Sequence, residues 1–107
     1  PLFTNTTSDD NTALDSNLLI ESISPNPFNG KANIVYSTST KENITISIFN
    51  NLGQKVLQTK PLKHPRGYHT FVWDGKNSIG NEIPSGIYFF SIASYSARNT
   101  RKLIYLK

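Results

Sequence analysis

The sequence predicts an all-β fold, an antiparallel β-sandwich of seven strands within residues 18–107. Short runs of β-branched and aromatic residues are separated by clusters of Gly, Pro and Asn, as in strands joined by tight turns. Several runs alternate apolar and polar residues with the period of two that marks a half-buried strand. No segment has the period of an amphipathic helix, so no helix is predicted.

A chain of 107 residues has room for one domain, because domains of roughly 100–150 residues are the commonest size. Residues 1–17 are polar and have no period, so we expect a linker or flexible N-terminal segment there. The chain contains no Met and starts at Pro1, so we expect a piece cut from a longer protein. No apolar run approaches the roughly 20 residues of a membrane-spanning helix.

The first two predicted strands, residues 18–24 and 32–37, are separated by the sequence PNPFNG. Pro25 and Pro27 fix their φ angles and lack backbone donors, so the first strand cannot continue through them. Asn26 between them is expected to satisfy local backbone amides. In the second strand alternate residues share one face: Ala32, Ile34 and Tyr36.

The third predicted strand, residues 43–50, shows the clearest alternation. Its isoleucines share one face: Ile44, Ile46 and Ile48. Gly53 suits a turn that needs a positive φ angle, and the fourth strand follows at 54–60. Residues 61–67 contain two prolines and are predicted to form a loop.

The last three predicted strands are residues 68–75, 86–95 and 100–107, with a long loop before the second of them. In the first of these, alternate residues are expected to face the core: His69, Phe71 and Trp73. Tyr88 lies near the start of the second, where Ig-type sandwiches place a tyrosine whose hydroxyl bonds the backbone upstream. Gly86 is expected to leave room beside it. The predicted fold is therefore an Ig-like sandwich.

The sequence contains no catalytic or cofactor motif, and we predict that the protein is not an enzyme. There is no Cys, and two histidines without a nearby carboxylate make a weak metal site. We expect His64 to be exposed in a loop and His69 to lie at a strand end. The oxygen-rich loop 74–82 resembles a calcium loop, yet turn chemistry explains it better. In that turn Asp74 and Asn77 bond nearby amides and Gly75 takes a positive φ angle.

Two aromatic residues suggest a carbohydrate-binding surface, because a flat exposed ring stacks on a sugar. Trp73 shares a face with the core residues of its strand, however, so we expect it to be buried. Tyr68 is the other candidate. A carbohydrate-binding accessory module of a secreted glycoside hydrolase therefore stays open as an alternative function.

The net charge is unevenly divided along the chain. From Lys31 onward there are eleven Lys and Arg residues against three acidic residues, a net charge of +8. Such a surface fits an acidic partner. The basic residues are scattered rather than clustered, which argues against nucleic acid.

Five short motifs together resemble a known family. They are SPNPFNG at 24–30, ISIFNNLGQKV at 46–56, GYHTFVWDG at 67–75, IPSGIYFFSI at 83–92 and TRKLIYLK at 100–107. Their order and spacing resemble the type A C-terminal sorting domains of the type IX secretion system of Bacteroidetes and related phyla. The pattern is also similar to the Ig-like domain of the flagellar hook-capping protein. The family positions with a structural explanation are Pro25, Asn26, Pro27, Gly53, Trp73, Asp74, Gly75, Gly86 and Tyr88.

The resemblance implies a function as a C-terminal sorting signal for a cargo protein in the same chain. The implied partners are the secretion translocon or its C-terminal-signal peptidase. The implied location is the surface or medium of a Gram-negative bacterium, reached through the periplasm. We expect an exposed basic rim on the last strand to be recognised: Arg101, Lys102 and Lys107. A structural Ig-like spacer is a further alternative.

Overall fold

A computed structural model describes residues 18–107, so the linker predicted for residues 1–17 lies outside the described residues. The described chain is built from eight β-strands. They are β1 (Leu18–Ser24), β2 (Ala32–Thr38), β3 (Glu42–Asn50), β4 (Lys55–Gln58), β5 (Leu62–His64), β6 (Gly67–Trp73), β7 (Gly86–Ala93) and β8 (Arg98–Tyr105). The prediction of an all-β antiparallel sandwich is confirmed at the level of class.

The strand count of seven was wrong because the segment predicted as a loop at 61–67 contains a strand. Residues Leu62–His64 form β5 and pair antiparallel with the first residues of β3. Three residues between two prolines are too few to show a period of two, so the alternation gave no signal. The prolines at either end do not prevent pairing, because they lie outside the ladder.

The strands form two sheets. One has three strands in the order β1-β2-β6, and the other has the order β4-β3-β7-β8, with β5 also pairing with β3. These orders correspond to strands A-B-E and C′-C-F-G of an Ig domain. In the constant-type Ig domain a fourth strand, D, lies beyond E. No described strand of this chain occupies that position beside β6.

The core lies between the sheets and uses the faces that the alternation predicts. The buried hydrophobic residues of β2 and β3 are Ala32, Ile34, Tyr36, Ile44, Ile46 and Ile48. Strands β7 and β8, in the same sheet as β3, add further buried hydrophobic residues: Tyr88, Phe90, Ile92, Leu103 and Tyr105. Each large apolar side chain buried in this way contributes roughly 1.5–3 kcal/mol relative to exposure.

Two local irregularities keep these faces in register. In β1 the pairing with β2 shifts between Ile20 and Ser22, and the extra residue returns Ile23 to the core side. At the β3–β4 turn Asn50 Oδ1 accepts hydrogen bonds from two backbone amides, each at 2.9 Å. Gly53 in this turn has a φ angle of 83°, which confirms its predicted conformation.

Candidate recognition surface around the C-terminal strand

The outer edge of β8 is covered by the proline-containing segment that follows β1. The Phe28 amide donates to the Ile104 carbonyl at 3.0 Å, and the Leu106 amide donates to the Phe28 carbonyl at 2.8 Å. The Ile104 amide donates to Asn26 Oδ1 at 2.9 Å. Asn26 therefore accepts a hydrogen bond from a strand almost eighty residues away in the chain, and the expectation that it bonds local amides was wrong. Sequence alone gives no signal for a partner at that separation.

Further along β8, two side chains reach β1, the terminal strand of the other sheet. Asn99 Nδ2 donates to the Leu18 carbonyl at 3.1 Å, and Arg101 Nη2 donates to the Ile20 carbonyl at 2.7 Å. These bonds join the two sheets along one side of the sandwich. We refer to this side as the seam, formed by Asn26, Phe28, Asn99 and Arg101.

A cluster of aromatic rings lies beneath the seam. Phe28 packs against Trp73 and Tyr105, with ring centroids 5.3 and 4.9 Å apart. Trp73 is only 1% exposed and also meets Tyr88 edge-on at 5.5 Å. Its indole Nε1 donates to the Lys76 carbonyl at 3.0 Å. The prediction that Trp73 is a core residue is confirmed, and its buried ring presents no face to a sugar.

Gly75 is required by both its conformation and its surroundings. Its φ angle is 75°, as predicted, and a Cβ atom at this position would lie 2.7 Å from the Tyr105 ring. Gly86 differs: a Cβ atom there would meet no heavy atom within 4 Å, so the expectation that Gly86 makes room for Tyr88 was wrong. Gly75 and Gly86 therefore have different roles.

The tyrosine corner is present. The Tyr88 hydroxyl donates to the Pro84 carbonyl at 2.6 Å, which is the predicted bond to the backbone upstream. Burial, together with the nearby Tyr105, raises the pKa of Tyr88 above its ordinary value. The hydroxyl is therefore protonated at neutral pH and is available as a donor.

The loop 74–82 is organised by an asparagine. Asn77 Oδ1 accepts hydrogen bonds from the Ile79 amide at 3.1 Å and the Asn81 amide at 2.9 Å. Asp74 is exposed and makes no hydrogen bond within residues 18–107, so its predicted part in the turn was wrong. The described residues also contain no group of three or more His, Asp or Glu side chains placed to hold a metal.

The histidines lie elsewhere than predicted. His64 belongs to β5 rather than a loop, and His69 lies in the middle of β6 rather than at a strand end. His64 Nδ1 donates to the Leu62 carbonyl, so its Nε2 accepts from the Tyr36 hydroxyl, each at 2.8 Å. Burial raises the pKa of Tyr36, which keeps that hydroxyl protonated. These contacts fasten β5 to the core.

The three predicted recognition residues do not form one rim. Arg101 turns toward β1 and belongs to the seam. Lys102, the next residue, lies on the opposite face of β8, directly across from Phe89. Lys107 forms an ion pair with Glu82 at 3.5 Å. Both groups of this pair are largely exposed, so the pair contributes little stability.

The outer face of the larger sheet carries a basic surface that sequence reasoning missed. One row across four strands reads Lys55, Phe49, Phe89 and Lys102. Other basic residues share the face by register, and none of the described residues on it is acidic. We refer to this set as the outer basic face: Lys55, Lys63, Arg98 and Lys102. Alternation along β3 and β8 was the signal for this face. Residues that alternate with the core residues of these strands must point away from the core.

The fold and the tyrosine corner together define an Ig-like domain. The model of the FlgD Ig-like domain matches residues 22–98, and the chain belongs to this family. No curated protein is significantly similar to the chain in sequence.

Solved structures share the fold, PorU and two FlgD proteins among them. The chain is similar to part of dimeric latent PorU from Porphyromonas gingivalis, with a TM-score of 0.69 and 19% identity over 83% of this chain and 9% of that one. It is also similar to FlgD from P. aeruginosa, with a TM-score of 0.52 and 23% identity over 82% of this chain and 64% of that one. It is similar as well to FlgD from Xanthomonas campestris, with a TM-score of 0.52 and 23% identity over 88% of this chain and 70% of that one. The chain thus spans a small part of PorU and about two thirds of each FlgD.

No helix long and apolar enough to cross a membrane occurs within residues 18–107.

Proposed function

We propose that the chain is a C-terminal sorting signal that directs a cargo protein through the type IX secretion system to the cell surface or medium. The proposal includes a non-enzymatic role and a Gram-negative host of the Bacteroidetes. Two findings support it: the five sequence motifs of sorting domains, and a fold shared with a region that makes up 9% of PorU. The match to a small part of a long chain is what a domain attached to a larger protein would give.

The observation that carries the proposal is the way the C-terminal strand is held. Asn26 and Phe28 cover the edge of β8, so a secretion partner cannot add a strand along residues 104–106 without displacing them. Recognition would instead use the exposed side chains of this region. Lys102 on the outer basic face and Lys107 near the chain end are both exposed. An acidic surface on the translocon or on its C-terminal-signal peptidase would complement them.

The alternatives make different demands on the surface. A carbohydrate-binding module needs an exposed aromatic platform, and with Trp73 buried only Tyr68 of the two candidates is exposed, by 74%. A structural spacer needs no recognition surface at all. Loss of export on changing exposed lysines, with stability unchanged, would favour the sorting signal over both.

The test is a fusion of the chain to the C-terminus of a reporter in a type IX-competent host. Deleting residues 100–107 removes most of β8 and should abolish both folding and export. Changing Lys102 and Lys107 to Gln should leave the melting temperature nearly unchanged, because exposed charges contribute little. Surface delivery should nevertheless fall.

The control makes the same change in charge at two exposed lysines outside β8, Lys31→Gln with Lys41→Gln. It should be delivered normally. Normal delivery of the Lys102 and Lys107 variant would remove these residues from the mechanism. Normal delivery of the truncated chain would overturn the sorting function itself.

A further inference from the structure

The outer edge of β6 differs from the edges of the other terminal strands. The edge of β8 is bonded to residues 26–28, and side chains of β8 donate to carbonyls of β1. The edge of β4 receives the Ser78 amide on the Val56 carbonyl at 3.2 Å. In the described part of the chain, β6 pairs with β2 alone. Strand β5 also pairs with one strand only, but it has three residues, so β6 is the longest open edge among the described strands.

The sequence of β6 does nothing to prevent pairing with a further strand. Terminal strands are usually protected by short length, bulges, Pro or Lys. Strand β6 pairs with β2 over all seven of its residues with no shift of register, and it contains neither Pro nor Lys. None of the strands within residues 18–107 occupies the place beside it, which is the place of strand D in Ig domains.

We propose that this edge pairs with the same edge of a second copy of the chain, antiparallel about a twofold axis at Thr70. The pairing would join two three-stranded sheets into one of six strands. On the outer face it places Tyr68 opposite Val72 and Thr70 opposite Thr70. Aromatic–β-branched and Thr–Thr pairs are among the favourable cross-strand combinations. Tyr68 is 74% and Val72 is 49% exposed in the single chain.

Charge supports this register over its neighbours. With Thr70 opposite itself, Arg66 of each copy lies opposite Asp74 of the other, at both ends of the paired strands. Neither residue forms an ion pair within residues 18–107. A shift by two residues places Arg66 opposite Val72 or opposite Lys76, so no shifted register gives it an acidic partner. A shift by one places outward side chains opposite inward ones, which the buried Trp73 forbids.

The interface is small, because it consists of one strand from each copy and four charged side chains. Interfaces of this size are weak, and exposed ion pairs direct the register more than they add affinity. The proposal does not depend on the secretion function, since it rests only on the β6 edge.

The chain contains no Cys, so single cysteines can report the pairing. Directly opposed residues in antiparallel strands have Cα atoms about 4.5 or 5.5 Å apart, within the roughly 4.4–6.8 Å that a disulfide spans. Under mild oxidation the Thr70→Cys chain should form a covalent dimer on the order of tenfold faster than Ser22→Cys, because pairing raises the local thiol concentration. Both positions are exposed in a strand, and circular dichroism checks that both variants fold.

A charge exchange tests the register in the Thr70→Cys background. Arg66→Asp should slow cross-linking to the rate of the Ser22→Cys control, because it places two carboxylates opposite each other at each end. Adding Asp74→Arg should restore the faster rate. Equal cross-linking of Thr70→Cys and Ser22→Cys would overturn the proposal, and so would an Arg66→Asp chain that cross-links at the unchanged rate.

Discussion

The two sides of the sandwich differ in how their terminal strands are bonded. On the side of β1 and β8, the seam joins the sheets through bonds from Asn26, Phe28, Asn99 and Arg101. On the side of β6, the terminal strand pairs only with β2 among the described residues. The partners across the seam are separated by about eighty residues in the chain, so the position of the last strand depends on the whole domain being folded.

This difference suggests a division of work. The last strand is held by residues about eighty positions away, so under the proposed function only a folded chain would present it to a partner. The position of β6 depends on its pairing with β2 alone among the described strands. Changes that break the seam should therefore lower stability, whereas equivalent changes on the open side should leave it almost unaltered.

The largest expected effect is at the aromatic cluster beneath the seam. Trp73→Ala should lower the free energy of unfolding by roughly 3–5 kcal/mol, because it removes a buried ring and leaves a cavity. Val72→Ala, the adjacent change on the exposed face, should cost less than about 1 kcal/mol. Urea unfolding measures both. A Trp73→Ala chain as stable as Val72→Ala would show that the cluster does not support the fold.

Gly75→Ala should cost about 2–3 kcal/mol, since it combines an unfavourable positive φ angle with a forced shift of the Tyr105 ring. Gly80→Ala is the matched control: its φ angle is 88° and a Cβ atom there meets nothing within 4 Å. The control should cost only about 1 kcal/mol, from backbone conformation alone. Equal losses in thermal unfolding would mean that the contact with Tyr105 contributes nothing.

Arg101→Gln should cost about 1–2 kcal/mol, because it removes the charged donor from the Ile20 carbonyl. The same change at Arg66 on the open side removes no bond and should be within about 0.5 kcal/mol of the parent. Chemical denaturation of the two variants side by side compares the two sides directly. If the two variants are equally stable, the seam bond has no net effect.

Tyr88→Phe should cost about 1 kcal/mol at neutral pH through loss of the bond to the Pro84 carbonyl. Because the pKa of Tyr88 is raised in the folded state, its contribution is complete below the ordinary value of 10.0 and is lost as the pH rises through the raised value. The difference between parent and variant should therefore shrink in alkaline solution. Unfolding curves of both chains, recorded from pH 7 into the alkaline range, measure this difference in stability. A difference that stays constant with pH would contradict the role of the Tyr88 hydroxyl as the donor.

The smallest expected effect is that of metal removal. The loop 74–82 is ordered by Asn77 and offers only two carboxylates, so EDTA should not change the melting temperature. A fall in melting temperature on adding EDTA, reversed by calcium, would reveal a bound ion through its mass-action stabilisation.

How far the sequence predicts this structure depends on the range of the interactions. Alternation is local, and it correctly predicted the core face of Ile44, Ile46 and Ile48. The bonds of Asn26 join residues almost eighty positions apart, and no local pattern encodes them. The concentration of basic residues in the last strand predicts one rim for Arg101 and Lys102, yet adjacent residues of a strand face opposite ways. The period of two therefore places Arg101 and Lys102 on different faces of β8.

The central claim, that this domain sorts its cargo, is tested most directly by comparing two hosts. The chain is fused to the C-terminus of a periplasmic reporter and expressed in a type IX-competent strain and in an isogenic strain without the translocon. We predict reporter on the surface or in the medium of the competent strain only, with folded fusion protein retained in the periplasm of the other. Periplasmic retention in both strains, or delivery in both, would contradict the account.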